Sequence, residues 1–257
     1  MTGQTASRSH VARHLEDRIM RQELMPGSIL PSERALAETF GVGRPTVREA
    51  IRELAERDLI DIVPGRGSFV AHPRAGTVVD GVQRWVLRRG ISPRHILEAR
   101  RLIEVEAAAT AALRRSRHQV GLLGAVLDRL EGEANPVLSA QLDIAFHMGV
   151  ARASANPVFE LWLASLAPAT AELIVLSSAF PGVTTARPAQ HRAILAAIGE
   201  GEERAARMEM DAHLATGREG FGASYDEPLA ESGTVPGPFD LDHLLSLHRL
   251  PAWGEED

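Results

Sequence analysis

Apolar positions near the amino end first recur at helical spacing and then crowd into a short strand. Val11, Leu15 and Ile19 stand four apart, which predicts a helix over about 9–23. Met25-Pro26-Gly27 breaks it. Leu30-Pro31-Ser32 leads into a second helix with Ser32 as its N-cap, and Ala35, Leu36 and Phe40 form its inner face. Gly41-Val42-Gly43 turns the chain. A third helix over about 44–57 carries Val47, Ile51 and Leu54 inward, with Pro45 in the first turn, where a missing N–H costs little. Arg44, Arg48 and Arg52 fall four apart on another side of it. Leu59, Ile60, Ile62 and Val63 make a β-branched run, Pro64-Gly65-Arg66-Gly67 a tight turn, and Ser68-Phe69-Val70 a returning strand.

Two helices meeting at a glycine turn, followed by a glycine-tipped hairpin, are the order of a winged helix-turn-helix. Its three helices and two-stranded wing are assigned to residues 8–72. The common use of that module is to lay its recognition helix in a DNA major groove. His72-Pro73-Arg74-Ala75-Gly76 reads as a linker, placed at 73–77. From 78 onward strand patterns vanish. Helices are expected near 78–89, 93–115, 117–133, 138–153, 156–179, 186–199 and 201–219. Gly90 with Pro93, Asn135-Pro136, Asn156-Pro157, Pro181-Gly182 and Gly199 with Gly201 punctuate them. The fold class is therefore mainly α, with the winged helix-turn-helix followed by an all-α bundle over 78–221. Residues 222–257 hold Pro228, Pro236, Pro238 and Pro251 among acids and glycines, which predicts a partly disordered tail, most of all over 224–237. Within that tail Phe239, Leu241, Leu244, Leu245 and Leu247 can form one short docking helix.

Composition sharpens this picture in three places. A chain of 257 residues accommodates two modest domains. It has no cysteine, so disulfides and thiolate metal sites are excluded, and a reducing cytoplasm fits. No apolar run in the sequence reaches the roughly 18 residues of a membrane span, and Met1 to Ser9 do not resemble a signal peptide, so no membrane partner is expected. The net charge of −6 argues against nucleic acid until it is divided. Residues 1–75 hold 11 Arg and 10 acids, whereas residues 76–257 hold 17 Arg and 24 acids. The acidity belongs to the second part. Every basic residue is arginine, the better side chain for paired contacts to guanine or phosphate.

Candidate DNA contacts follow from position. Arg44 and Arg48 lie in the first turns of the third helix, the end that reaches base edges, and Arg34 lies at the start of the second. Thr46, between them, can bond a phosphate. Gly65 lets the wing backbone approach the sugar-phosphate chain, and Arg66 can enter the minor groove. Each arginine taken alone reads more readily as a solvated helix-face charge. The stretches Leu30-Pro31-Ser32-Glu33-Arg34-Ala35-Leu36-Ala37, Arg44-Pro45-Thr46-Val47-Arg48-Glu49-Ala50 and Gly65-Arg66-Gly67-Ser68-Phe69-Val70 resemble the GntR family of bacterial transcription regulators. That resemblance implies a cytoplasmic homodimer that reads a short palindromic operator in double-stranded DNA, more often as a repressor.

The second part carries different chemistry. Asp143 and His147, four apart, share a helix face, and His191 and His213 come from two other expected helices. Three imidazoles and a carboxylate suit a divalent transition metal if they converge. A lone helical histidine reads as readily as a capped core residue. The run Ile96-Leu97-Glu98-Ala99-Arg100-Arg101-Leu102-Ile103-Glu104, followed by Asp143, His147, Asn156-Pro157-Val158, His191 and His213, is similar to the FCD ligand-binding domain. That domain follows the winged helix in the FadR-type branch of the family. The resemblance implies that Asp143, His147, His191 and His213 hold a metal, most simply zinc, with nickel, iron or manganese also suited. The complete ligand set argues against a fatty-acyl effector.

Arg100 matches the arginine that faces the effector pocket in such domains. A guanidinium there can grip the carboxylate of a small organic or sugar acid while the metal takes another oxygen. A salt bridge to Glu104 is the plainer role for Arg100, and Arg101 competes for the pocket. The segment Asp80-Gly81-Val82-Gln83-Arg84-Trp85-Val86-Leu87 is similar to regulators that sense aldonic acids, although Val82, Trp85 and Val86 serve as well as core or interface residues. No catalytic role is expected. The rivals are a sensor for which the ion itself is the signal, and a metalloenzyme with Glu104 as general base.

Overall fold

A computed structural model describes residues 8–72, 75–229, 237 and 239–254. The chain divides into two compact units, one ending at Ala75 and one beginning at Gly76.

The first unit holds α1 (Arg8–Met20), α2 (Glu33–Phe40), α3 (Arg44–Glu56), β1 (Ile60–Val63) and β2 (Gly67–Val70). Val11 and Leu15 of α1 meet Leu36, Val47, Ile51 and Leu54 in a core that Ile60 and Val70 close from the wing. Ser32 caps α2, its Oγ accepting from the Ala35 N–H at 3.2 Å. Gly41 ends that helix in the left-handed region at φ +64°. Nothing lies within 4 Å of where a Cβ would stand there, so the backbone conformation alone selects glycine. The strands pair antiparallel, Ile60 opposite Val70 and Val63 opposite Gly67. The segment before α2 also joins the wing: Leu30 N–H donates to Ser68 O at 2.8 Å, and Val70 N–H to Ser28 O at 2.9 Å.

The second unit contains α4 (Ala75–Arg88), α5 (Pro93–Arg114), α6 (Arg117–Glu131), α7 (Pro136–Ala153), α8 (Pro157–Ser177), α9 (Pro181–Glu200), α10 (Glu203–Phe221), a 3₁₀ turn (Gly222–Tyr225) and α11 (Leu241–Leu247). Proline in the first turn opens α5, α7, α8 and α9. Asn135 and Asn156 cap α7 and α8 with side-chain oxygens. Every residue from Ala140 to Ala151 of α7 is buried, the mark of a helix enclosed on all sides. It packs against α5, α6, α8 and α11, while α9 and α10 pack against each other and against α5. At Gly149 a Cβ would stand 2.6 Å from Leu123, so the approach of α6 to α7 depends on that glycine.

Several expectations are corrected. The 73–77 linker is shorter, because Ala75, Gly76 and Thr77 already belong to α4, while Pro73 and Arg74 lie outside the described residues. Helix α9 begins at Pro181 rather than near 186: proline at a first helical position starts the helix instead of breaking the chain. The tail is not simply loose. Phe239, Leu241, Leu244 and Leu245 are buried in the main core, so the apolar spacing outweighs the surrounding prolines. Of the stretch 224–237, residues 230–236 lie outside the described residues. Helix α8 is long and apolar enough to cross a membrane by length and composition, although half of its most apolar window is buried within this unit.

Candidate functional site

Two sites emerge, one in each unit. In the first, the start of α3 carries Arg44 and, one turn later, Arg48, both exposed, with Thr46 half-buried between them. Arg34 projects from α2, 3.8 Å from Glu38. Gly65 sits at the wing tip with φ +72°, and the Arg66 guanidinium lies 5.9 Å from the Phe69 ring centre. The sequence reading missed Glu33. Arg48 donates to it twice, Nε to Oε1 at 3.0 Å and Nη2 to Oε2 at 2.8 Å. Arg44 Nη2 lies 3.9 Å from the same carboxylate. The hydrogen bond from Arg48, with the charges of Arg48, Arg44 and Arg52, holds the Glu33 carboxyl below its ordinary range against a weaker opposing effect of burial. Nothing in the sequence links Glu33 to Arg48, fifteen residues on.

In the second unit the four expected ligands converge. Helix α7 supplies Asp143 and His147, α9 supplies His191 and α10 supplies His213. One nitrogen from each histidine lies within 4.8 Å of the others, and all three residues are buried. Asp143 Oδ1 is 3.5 Å from His147 Nε2, and Oδ2 is 3.8 Å from His191 Nε2. Among the described residues, Asp143 Oδ2 and both ring nitrogens of His147 and of His191 have no hydrogen-bond partner. Buried polar atoms without partners are costly, and the Nε2 atoms of His147 and His191 lie beside the Asp143 carboxylate. A cation among these facing atoms would satisfy one nitrogen of each ring and the carboxylate together.

Neighbouring residues set the histidine tautomers. His147 Nδ1 lies 2.5 Å from Glu104 Oε2 in an ion-pair contact, and a proton held on that side would leave Nε2 a lone pair. Gln190 donates from Nε2 to Thr216 Oγ1 at 2.8 Å, and the Thr216 hydroxyl donates to Ala212 O at 3.1 Å. That chain turns the Gln190 oxygen to His213 Nδ1, 3.2 Å away, so this nitrogen donates and Nε2 is free to bind a metal. Burial, then neighbouring charges, pushes His191 and His213 well below the usual histidine range. Both are neutral, the form in which imidazole coordinates a metal. Gln190 carried no sequence signal as a partner of His213.

Charge is balanced around this cluster. Arg100 donates from Nε to Glu104 Oε1 at 2.5 Å and is buried with it. Burial raises the Glu104 carboxyl, but Arg100 and His147 overcome it and hold the group well below the usual carboxylate range. With both oxygens engaged, Glu104 is poorly placed as a general base. Arg101 points outward, 64% exposed and paired with Asp211, so the competing choice for the pocket falls away. A cavity of about 40 Å³ lies beside the cluster, bordered by Arg100, Asp143, Gln190, His213 and also Arg187. Arg187 was not foreseen: its Nη2 donates to Ser177 Oγ at 2.7 Å, and its Nε lies 3.7 Å from Asp143 Oδ2.

Comparison with known proteins identifies the family of each unit. The profile described as bacterial regulatory proteins, gntR family, matches residues 7–70, and that of the FCD domain matches residues 95–216. The HTH-type transcriptional repressor NanR of Cronobacter sakazakii is 32% identical over 64% of this chain and 68% of its own length. A repressor of the same name from Enterobacter sp. is 33% identical over 58% of this chain, which spans 59% of that relative. Among solved structures, a Streptococcus agalactiae GntR protein superposes with a TM-score of 0.58 at 26% identity, covering 81% of this chain and 97% of that one. These relatives are transcription regulators, not enzymes.

Proposed function

The chain belongs to the GntR family of bacterial regulatory proteins and carries an FCD domain behind its helix-turn-helix, and on that footing we propose that a metal-held small carboxylate sets how tightly two copies of it grip operator DNA. The observation that carries this reading is the convergence of three buried imidazoles with Asp143 around unpartnered atoms. Asp143, His147, His191 and His213 would hold the ion, with zinc the simplest occupant of a site rich in imidazole. When bound, such an ion supplies an open position for an acid oxygen and a fixed positive charge.

Charge explains why the ligand is an anion. Arg100, Arg187, Glu104 and Asp143 cancel, and a divalent ion then leaves the site at about +2, a strong attraction in a buried place. Arg100 is committed to Glu104, which makes Arg187 the more available guanidinium for an incoming carboxylate. Size explains why binding is felt elsewhere. A water needs roughly 10–15 Å³ of such space, so about 40 Å³ admits only a few atoms beyond the ion. A hydroxy acid or sugar acid held there would bear on α5, α8, α9 and α10, whose side chains form the walls. That pressure gives the ligand different affinities for two arrangements of the dimer, the condition for control of DNA binding.

On the DNA side, Arg44 and Arg48 read base edges, Arg34 and Thr46 grip phosphates, and the wing places Gly65 and Arg66 against the backbone. The protein works in the cytoplasm as a homodimer and represses until the acid is bound. The test is a thermal-shift screen of zinc-loaded protein against two- to six-carbon carboxylic and hydroxycarboxylic acids. An effector raises the melting temperature by mass action, and the rise disappears in His213→Ala. A shift from zinc alone, with none added by any acid, would instead make the ion the signal.

A further inference from the structure

Resting on the DNA-binding reading above, we infer that Glu33 is a positioning residue for sequence readout: it grips one edge of the Arg48 guanidinium so that the other edge is presented to a base. A guanidinium offers two edges with paired donors. The side edge, Nε with Nη2, is taken by the two oxygens of Glu33 at 3.0 and 2.8 Å. The end edge, Nη1 with the second hydrogen of Nη2, remains for guanine O6 and N7, which need such a pair. A fixed end edge also spares the long side chain part of its ordering on DNA.

The carboxylate has a second effect. Glu33 lies between Arg48 and Arg44, whose Nη2 is 3.9 Å away, so it offsets positive charge where α3 would face the duplex. A phosphate competing for Arg48 must displace a carboxylate already seated on it, and meets that carboxylate's repulsion. Glu33 thus weakens grip on any sequence while favouring the one that offers a guanine, which is discrimination by penalising the wrong partner. The plainer role for the same residue is an acid that steadies the start of α2. The two roles make different predictions.

Full-length protein is used to select duplexes from a randomised pool. The affinity for the preferred duplex and for a scrambled one is then measured by fluorescence anisotropy. Wild type, Glu33→Gln, Arg48→Ala and the double variant are compared. Glu33→Gln keeps the shape and is expected to lower the preferred-to-scrambled ratio about tenfold, inside the roughly 5- to 150-fold range of one bidentate base contact, while the scrambled duplex binds as well or better. In the Arg48→Ala background Glu33→Gln should change the ratio no further, because the residue acts through Arg48. An unchanged ratio in Glu33→Gln, or a full extra loss in the double variant, overturns the inference even where the melting temperature has fallen. Wild type that retains no duplex at all overturns the DNA-binding reading itself, and this inference with it.

Discussion

Arg48–Glu33 and Arg100–Glu104 are both arginine–glutamate pairs with two donor–acceptor contacts, yet they sit in opposite surroundings. The first is bathed in water on the helix-turn-helix. The second is buried in the helical unit. In water an ion pair contributes little to folding, because solvent and salt already stabilise each charge separately. Its value lies in orientation. In the interior each charge depends on the other, since neither has water to fall back on. On the proposed reading, the same two residue types serve recognition in one unit and architecture in the other.

The largest expected effect lies in the interior. Arg100→Ala leaves Glu104 buried without its main counter-charge and should destabilise the helical unit by about 3–5 kcal/mol, measured by urea unfolding of metal-free protein. Arg48→Ala should leave the same unfolding midpoint where it is. Equal losses in the two variants would erase the contrast.

Metal ligation comes next. His191→Ala and His213→Ala should each abolish stoichiometric zinc by elemental analysis while the protein stays folded, and full occupancy in either would refute the ligand assignment. Gln190→Ala removes the partner that orients His213 and should weaken zinc binding by about 10- to 100-fold in a chelator competition. Acidity probes the same cluster. His191 and His213 are held below the usual histidine value of about 6.5, so the unfolded chain takes up their protons first as pH falls. Their contribution is intact above about pH 6.5 and is lost progressively below it, so metal-free protein should melt at falling temperatures from that point downward. A melting temperature flat from pH 7.5 to 5 would mean that these histidines are not neutral and buried. The smallest effect on folding, and the largest on DNA, is expected of Arg44→Ala. It should cost the operator about 5- to 150-fold in affinity, read by gel shift, without moving the melting curve.

Much of the fold was legible because it is written in local chemistry. Ser32, Gly41, Asn135, Asn156 and the helix-opening prolines mark element ends by hydrogen bonds and dihedral limits that involve only near neighbours. The four candidate ligands were legible as a set because the resemblance to a known domain supplied what spacing could not. Glu33, Gln190 and Arg187 were not, because each acquires its role from a residue far along the chain: Arg48, His213 and Asp143. Helix α11 was half seen. Its leucines pointed to a docking helix, but the prolines around it argued for disorder, and only the packing against α7 decides between them.

The central claim is that occupancy of the buried cluster is felt at the exposed one. Its most direct test is the affinity of zinc-loaded full-length protein for its selected duplex, measured with and without the acid that gives the largest thermal shift. The account predicts a change of about 5- to 150-fold in wild type and none in His213→Ala. The same affinity in wild type with and without saturating acid would contradict it.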